Sequence, residues 1–287
     1  MDYSGKLIQY LNASHKANSI SRIGDELSPA PNCFKYFLSY EDLIKTEKAD
    51  ELFSLYIELF GDEHGKGYYC TKQGCGMTYP RTGSTVSEAC SLKCECGGLL
   101  NNYYEIEQLK RAYKTYKDFR YNIMLDDDNH IVGFTCGGEI TGKISDALLG
   151  EYYWIYKTKY PAIDKVESLI YRYFGYGNEG IISSIYFADS GGISPHYRKT
   201  LAPLIFTTRP LFQAAYENSN KHLVCINYAQ SSMHKINLIL GFDEIAKFGE
   251  LVYMGLRDVT YPLALYQNYT SHEISNIFRF IHKQCKT

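Results

Sequence analysis

A chain of 287 residues with 30 Lys+Arg against 32 Asp+Glu carries a formal charge of -2, which excludes a surface built wholly for nucleic acid and argues against a tight electrostatic hold on membranes. Hydrophobic residues at 45% and charged residues at 22% let it bury a substantial core, as one large domain or one and a half ordinary ones. The unusual features are 28 tyrosines beside a single tryptophan, and nine cysteines, an odd number that counts against a full disulfide framework.

Residues 1–32 read as a polar arm, punctuated by Ser28-Pro29-Ala30-Pro31. Cys33 to Ser39 reads as a strand. Glu47 to Phe60 places Leu52, Leu55, Tyr56 and Leu59 on one helical face, and Gly61 stops it. Tyr104 to Tyr121 puts Ile106, Leu109, Tyr113 and Tyr116 on one stripe and predicts a second helix. Its Lys110, Arg111, Lys114, Lys117 and Arg120 form a basic run that reads as a solvated face. Asn122–Leu125 and Ile131–Cys136 are short strands joined by a polar turn, whose aspartates lack the Gly and Glu spacing of a calcium loop. Two helical patterns follow, around Ser145–Lys157 and Asp164–Phe174, and then the apolar strand Ile181–Ala188.

Leu201 to Asn218 reads as a helix bent or stopped near Pro210. His222–Asn227 is a strand, Ser231–Leu240 a helix closed by Gly241, and Leu251–Arg257 a last strand. Glu273–Lys283 is an amphipathic helix. The expected organisation is an arm over 1–32, a domain over 33–258 carrying inserts at 66–102 and 143–176, and a C-terminal helical unit over 259–287. No apolar stretch reaches the roughly 18–20 residues that span a bilayer. The first ten residues, MDYSGKLIQY, have no signal-peptide run, so a cytoplasmic chain with reduced thiols and no membrane partner is expected.

Five cysteines crowd between residues 70 and 96. Cys70 and Cys75 are followed by Gly76, and Cys94 and Cys96 by Gly97 and Gly98. Two close pairs on glycine-containing turns suit tetrahedral Zn(II), because each turn must aim two thiolates inward. The segment Cys94-Glu95-Cys96-Gly97-Gly98-Leu99-Leu100 resembles the CxCGGxL ending of a zinc ribbon. Cys70, Cys75, Cys94 and Cys96 are the candidate ligands, with Cys90 a plausible substitute for one of them. Four thiolates would close the shell, which makes the metal structural. Cys136 and Cys225 sit in apolar contexts and read as small buried hydrophobes.

The order strand, two helices, three strands, helix, strand, helix, strands resembles the Gcn5-related N-acetyltransferase (GNAT) fold over residues 33–258. The expected class is α+β, a mixed central sheet flanked by helices, with a zinc-ribbon insert and an aromatic helical insert. The strand His222–Asn227, the helix, and Leu240-Gly241-Phe242 match that family's last part best. Ile193-Ser194-Pro195-His196-Tyr197-Arg198 resembles the loop leading to its acyl-CoA diphosphate site, where helix-terminal amides meet the anion. The resemblance implies acetyl-CoA or another acyl thioester held by Tyr197, Arg198, Lys199, Thr200 and Leu201. Leu201 and Pro203 stand where the family has glycines, and proline removes a donor. Where the family often has a tyrosine acid, four residues before the GF glycine, this chain has Asn237, with His234 nearby on the same helix. Glu139, at the end of the third strand, and Asp189, after the central one, are the candidate bases.

Residues 151–176 hold seven tyrosines, the only tryptophan and Phe174, suited to a ligand wall, an interface or plain core packing. Three functions are compatible with these readings. The first is acyl transfer from a CoA or acyl-carrier-protein thioester to a small-molecule or peptide amine. The second is a catalytically silent module of the same fold. The third is a zinc-ribbon RNA- or tRNA-binding protein, which the charge balance opposes.

Overall fold

The computed structural model describes residues 34–46, 48–60, 67–79, 93–102, 106, 110, 117–126, 128–140, 153–176, 185–195, 211–216 and 222–268. In chain order its elements are β1 (Phe34–Ser39), α1 (Tyr40–Leu43), α2 (Lys48–Phe60), β2 (Tyr68–Cys70), β3 (Thr78–Tyr79), β4 (Leu100–Asn102), β5 (Lys117–Leu125) and β6 (Ile131–Glu139). There follow α3 (Tyr153–Lys159), a 3-10 turn (Pro161–Lys165), α4 (Val166–Phe174), β7 (Ile185–Ile193), β8 (His222–Tyr228), α5 (Ser232–Ile239), β9 (Asp243–Phe248), β10 (Leu251–Leu256) and α6 (Thr260–Asn268). Residues 211–216 are also helical.

Seven strands form one sheet in the order β1-β5-β6-β7-β8-β10-β9, and β2, β3 and β4 form a separate small sheet. Neighbours in the large sheet are antiparallel except β7 and β8, which run parallel. A parallel pair needs a long crossover, and the helical residues 211–216 lie within it. This is the mixed α+β architecture that the sequence predicts, with the GNAT strand order.

Period-two alternation decides which side chains go to which face. Phe119, Tyr121, Ile123 and Leu125 of β5, with Phe134 and Cys136 of β6, pack under α1 and α2 through Leu43, Leu52, Phe53 and Leu55. On the same side, Ile163, Val166 and Ile170 of the 143–176 insert cover Phe187, Val224 and Tyr253. The opposite side packs Tyr186, Leu223, Cys225, Val252 and Met254 against Leu211, Phe212 and Ala215, and against Ile239 and Leu240 from the α5 end. Phe53 is 1% exposed, so Phe53→Ala would open a cavity costing about 3–5 kcal/mol. The α5 helix ends as its sequence dictates. Gly241 sits at φ 91, Phe242 N–H reaches back to Asn237 O at 3.0 Å, and the Phe242 ring is buried beside Phe212.

Several sequence boundaries move. The second helix does not reach Tyr121: residues 106 and 110 are helical, but β5 already begins at Lys117. Alternating Phe119, Tyr121 and Ile123, each buried against α2, override the helical stripe. The basic run therefore does not lie on one helix. Lys117 and Arg120 are on β5, and Lys110 pairs with Asp50 at 2.8 Å. The strand ending at Ala188 continues to Ile193, and β6 continues to Glu139. Among the described residues of the aromatic insert, Tyr156, Tyr160, Tyr171, Phe174 and Tyr176 are half-buried and pack against the cluster formed by Ile163, Val166, Ile170, Phe187, Val224 and Tyr253. A helix at Thr260–Asn268 lies in the C-terminal unit, while the expected helix at 273–283 and the arm at 1–32 fall outside the described residues. Among the described residues no helix is long and apolar enough to cross a membrane.

Candidate functional site: a split in the sheet and a four-thiol cluster

Strands β7 and β8 pair over only four positions, from Ile185↔His222 to Ala188↔Cys225. Both then run on, but toward different neighbours. β7 stays with β6 as far as Gly133↔Ile193, and β8 stays with β10 as far as Leu251↔Tyr228. A gap therefore opens between residues 189–193 and 226–228. At its apex β7 carries a bulge: Gly137 pairs with Ala188 and Cys136 with Ser190, so Asp189 is the extra residue of the longer strand.

The two faces of the gap differ chemically. On the α2 side the Cys136 thiol points at Asp189 Oδ2 from 3.9 Å, and Leu59 of α2 packs directly over Gly192. On the α5 side, Asn237 Nδ2 donates to Cys225 Sγ at 3.3 Å and Asn227 Nδ2 donates to the same sulfur at 3.2 Å. Asn227 Nδ2 also reaches Met254 Sδ at 3.4 Å. Burial pushes the Cys225 thiol up to about 12, so it is neutral and packs as the small hydrophobe the sequence suggests.

The four candidate acid–base residues separate in space. Asp189 and Asn237 meet the apex of the gap from opposite faces. Glu139 lies opposite Tyr186, toward the paired end of the ladder, because antiparallel pairing sets the end of β6 against the start of β7. His234 is buried, and its Nε2 is 2.6 Å from Glu244 Oε1 of β9. That contact ties α5 to the sheet edge. Tyr197, Arg198, Lys199, Thr200 and Leu201 lie outside the described residues. Asn227 escaped the sequence reading, although Leu223, Cys225 and Asn227 share one face of β8 and a polar residue there interrupts an apolar series.

In the small sheet, the sulfur atoms of Cys70, Cys75, Cys94 and Cys96 all lie within 4.8 Å of one another. Cys70 and Cys96 are 3.5 Å apart, and Cys75 and Cys94 3.6 Å. A tetrahedron with metal–sulfur bonds of about 2.3 Å has edges of roughly 3.8 Å, so the donor set fits Zn(II). A backbone amide serves one sulfur, Lys72 N–H pointing at Cys70 Sγ from 3.4 Å, and the second turn is closed by Cys94 N–H donating to Gly98 O at 2.8 Å. Burial pushes Cys70 up to about 12, whereas the Tyr79 hydroxyl, 3.2 Å from Cys94 Sγ, brings Cys94 down to about 6. Cys90 lies outside the described residues. The cluster is fastened to the domain by Tyr69, which is buried in the α2 core, and by Thr158 of α3, whose Oγ1 donates to Cys75 O at 3.4 Å.

No family model matches the chain, and no curated protein matches it. Solved structures do. The AHL synthase LasI is 12% identical with a TM-score of 0.45, over 80% of this chain and 91% of that one. A Drosophila melanogaster polyamine N-acetyltransferase, which forms N-acetylagmatine, is 9% identical with a TM-score of 0.47, over 78% of this chain and 98% of that one. Arylalkylamine N-acetyltransferase 2 from Aedes aegypti is 13% identical with a TM-score of 0.45, over 78% and 98%. By its strand order and the parallel pair that divides it, the described chain has the GNAT fold, with a four-cysteine insert.

Proposed function

We propose that this chain is an N-acyltransferase, moving an acyl group from a CoA or carrier-protein thioester to a small-molecule or peptide amine. The observation that carries this reading is the parting of β7 from β8 after Ala188 and Cys225, with Asp189 on one face and Asn237 on the other. Strand edges that leave each other offer backbone donors and acceptors to a slender arm that itself carries amides. The two faces then admit donor and acceptor separately.

The amine approaches from the α2 face, where Asp189 orients it and accepts its proton. Its nitrogen attacks the thioester carbonyl; the C–N bond forms, the C–S bond breaks, and the electron pair leaves on sulfur. Asn237 Nδ2–H donates to the departing thiolate, which then takes a proton from solvent, because an amide does not release one. Glu139 and His234 stand back from the reacting atoms, His234 as the anchor of α5. Tyr197, Arg198, Lys199, Thr200 and Leu201 would meet the diphosphate of a CoA donor through backbone amides and two cations.

Cys70, Cys75, Cys94 and Cys96 would hold a structural Zn(II), whose closed shell supplies cross-linking of two turns. A cytoplasmic setting, which keeps thiols reduced, completes the reading. The test is calorimetry with acetyl-CoA, longer acyl-CoAs and CoA, followed by thiol release with a panel of amines and with an acyl-carrier-protein donor. Saturable binding and amine-dependent thiol release are expected; silence with every donor overturns the reading.

A further inference from the structure

The hydroxyl of Tyr79 stands between the two cysteine turns of the small sheet. The Tyr79 backbone belongs to β3, where it pairs with Tyr68 of β2, and the half-buried ring packs against Tyr68, Cys70, Cys94 and Leu100. From that base the oxygen crosses to the second turn. It lies 3.2 Å from Cys94 Sγ and accepts the Glu95 N–H at 3.4 Å. Among the described residues it is the one hydroxyl that reaches a sulfur of the cluster.

The direction of the sulfur contact follows from what each group can give. A metal-bound thiolate has no hydrogen, so it can only accept. The Glu95 amide occupies a lone pair of the Tyr79 oxygen, which leaves the hydroxyl hydrogen for Cys94. The sulfur has need of it. Four thiolates around one divalent cation leave an excess of negative charge, and hydrogen bonds to sulfur disperse it. Cys94 is 4% exposed, so water does little of that work. Cys70 has the Lys72 amide at 3.4 Å, and the Lys72 ammonium sits on the Cys96 turn, donating to Cys96 O at 3.0 Å. For Cys94 the side-chain donor is Tyr79.

We propose that Tyr79 belongs to the metal site as a positioning residue, its Oη–H donating to the Cys94 thiolate and drawing charge from that sulfur. It touches no metal. Because β3 follows the turn of Cys70 and Cys75, and Cys94 opens the other turn, the same bond clasps the two halves of the site together. The inference rests on the zinc reading of the four cysteines and is independent of the acyl-transfer chemistry.

The test uses the full chain loaded with Zn(II) or Co(II) under reducing conditions. Tyr79→Phe, confirmed folded by circular dichroism, keeps the ring and deletes the hydroxyl, and Tyr79→Leu gives a second hydroxyl-free variant. Tyr68→Phe, which removes a hydroxyl from the facing position of the ladder, is the control. Competition with a chromophoric chelator is expected to show Zn(II) held about 10- to 100-fold less tightly by both Tyr79 variants, and within about twofold of wild type by Tyr68→Phe. The Co(II) form reports on sulfur itself. Losing a hydrogen bond raises the energy of the sulfur lone pairs, so the thiolate-to-Co(II) charge-transfer band should move to longer wavelength in the Tyr79 variants alone. A folded Tyr79→Phe with wild-type affinity and band overturns the assignment, as does a Tyr68→Phe that changes both equally. A loss of affinity with an unmoved band also overturns it, reducing Tyr79 to a packing residue. A wild type that binds neither metal overturns the zinc reading and this inference with it.

Discussion

Asn237 Nδ2 donates to Cys225 Sγ across 3.3 Å, joining α5 to the last residue through which β8 pairs with β7. The bond places an amide donor where the sheet divides, and it makes the neighbouring thiol part of a packed polar cluster. Asn237→Leu keeps the volume and removes the donor. The expected result is a fall of about tenfold in kcat with the donor KM within about twofold, since a donor aimed at developing charge acts in the transition state. An unchanged kcat in steady-state assays would remove Asn237 from the reaction.

Cys225 is not expected to form an acyl intermediate. Burial raises its thiol to about 12, with the amides of Asn227 and Asn237 pulling only part of the way back. At pH 8 the thiolate fraction is then on the order of 10⁻⁴. Iodoacetamide should leave Cys225 unlabelled in the native chain and label it after denaturation, as read by peptide mass spectrometry. Rapid labelling of the native thiol at pH 8 would contradict the burial argument.

Asp189 sits at a bulge, with the Cys136 thiol beside its carboxylate. If it accepts the amine proton, Asp189→Asn should lower kcat/KM by about a hundredfold. The pH profile gives the sharper check. A carboxylate base loses activity as it is protonated, so the wild type should show an acid limb that the variant lacks, while the limb set by the amine's own ionisation remains. Parallel profiles would reduce Asp189 to a structural residue.

The sequence was most informative where local chemistry is self-contained. Cys94-Glu95-Cys96-Gly97-Gly98 needs no distant partner to read as a ligand turn, and Leu240-Gly241-Phe242 carries its own helix stop. The gap was harder, because its cause is non-local. Nothing in Ile185–Ile193 says that pairing with β8 ends at Ala188; that follows from which neighbour each strand keeps. Lys117–Tyr121 is extended for a related reason. The apolar stripe of the expected helix, Ile106, Leu109, Tyr113 and Tyr116, stops short of it, and the surface of α2 that Phe119 and Tyr121 cover selects the extended form. Glu139 and Asp189 look equivalent in sequence, each a carboxylate at a strand end, until antiparallel pairing sends them apart.

The thiol cluster depends on one glycine that is not at a positive φ. A Cβ at Gly98 would stand 2.6 Å from Cys70 Sγ and 2.7 Å from Lys72 Cβ, so no side chain fits between the two turns. Gly98→Ala should therefore impair metal retention although it leaves every cysteine in place. Metal analysis is expected to return about one zinc per wild-type chain, and much less for Gly98→Ala and Cys94→Ser, with both variants less stable to heat. A fully folded, metal-free wild type would sink the zinc assignment.

Glu51 links α2 to the start of β6. Its Oε1 accepts from Ile131 N–H at 2.6 Å and its Oε2 from Lys48 Nζ at 2.7 Å, while Lys48 also reaches Asn129 O and His130 Nδ1 lies 3.5 Å from Oε1. Burial pushes the Glu51 carboxyl up, but the Lys48 ammonium, the Ile131 amide and His130 together outweigh it and hold the group below the usual glutamate value. A depressed carboxylate binds fewer protons when folded than when unfolded. Its contribution is thus fully present above the unfolded value, about 4.3, and is lost as pH falls through the lower folded value. Glu51→Gln should cost about 1–2 kcal/mol at pH 7, the worth of a partly exposed charged hydrogen bond. Urea unfolding at pH 3 should show a smaller difference between variant and wild type. An equal difference at both pH values would mean that the carboxylate charge contributes nothing and that only the shape of the side chain matters.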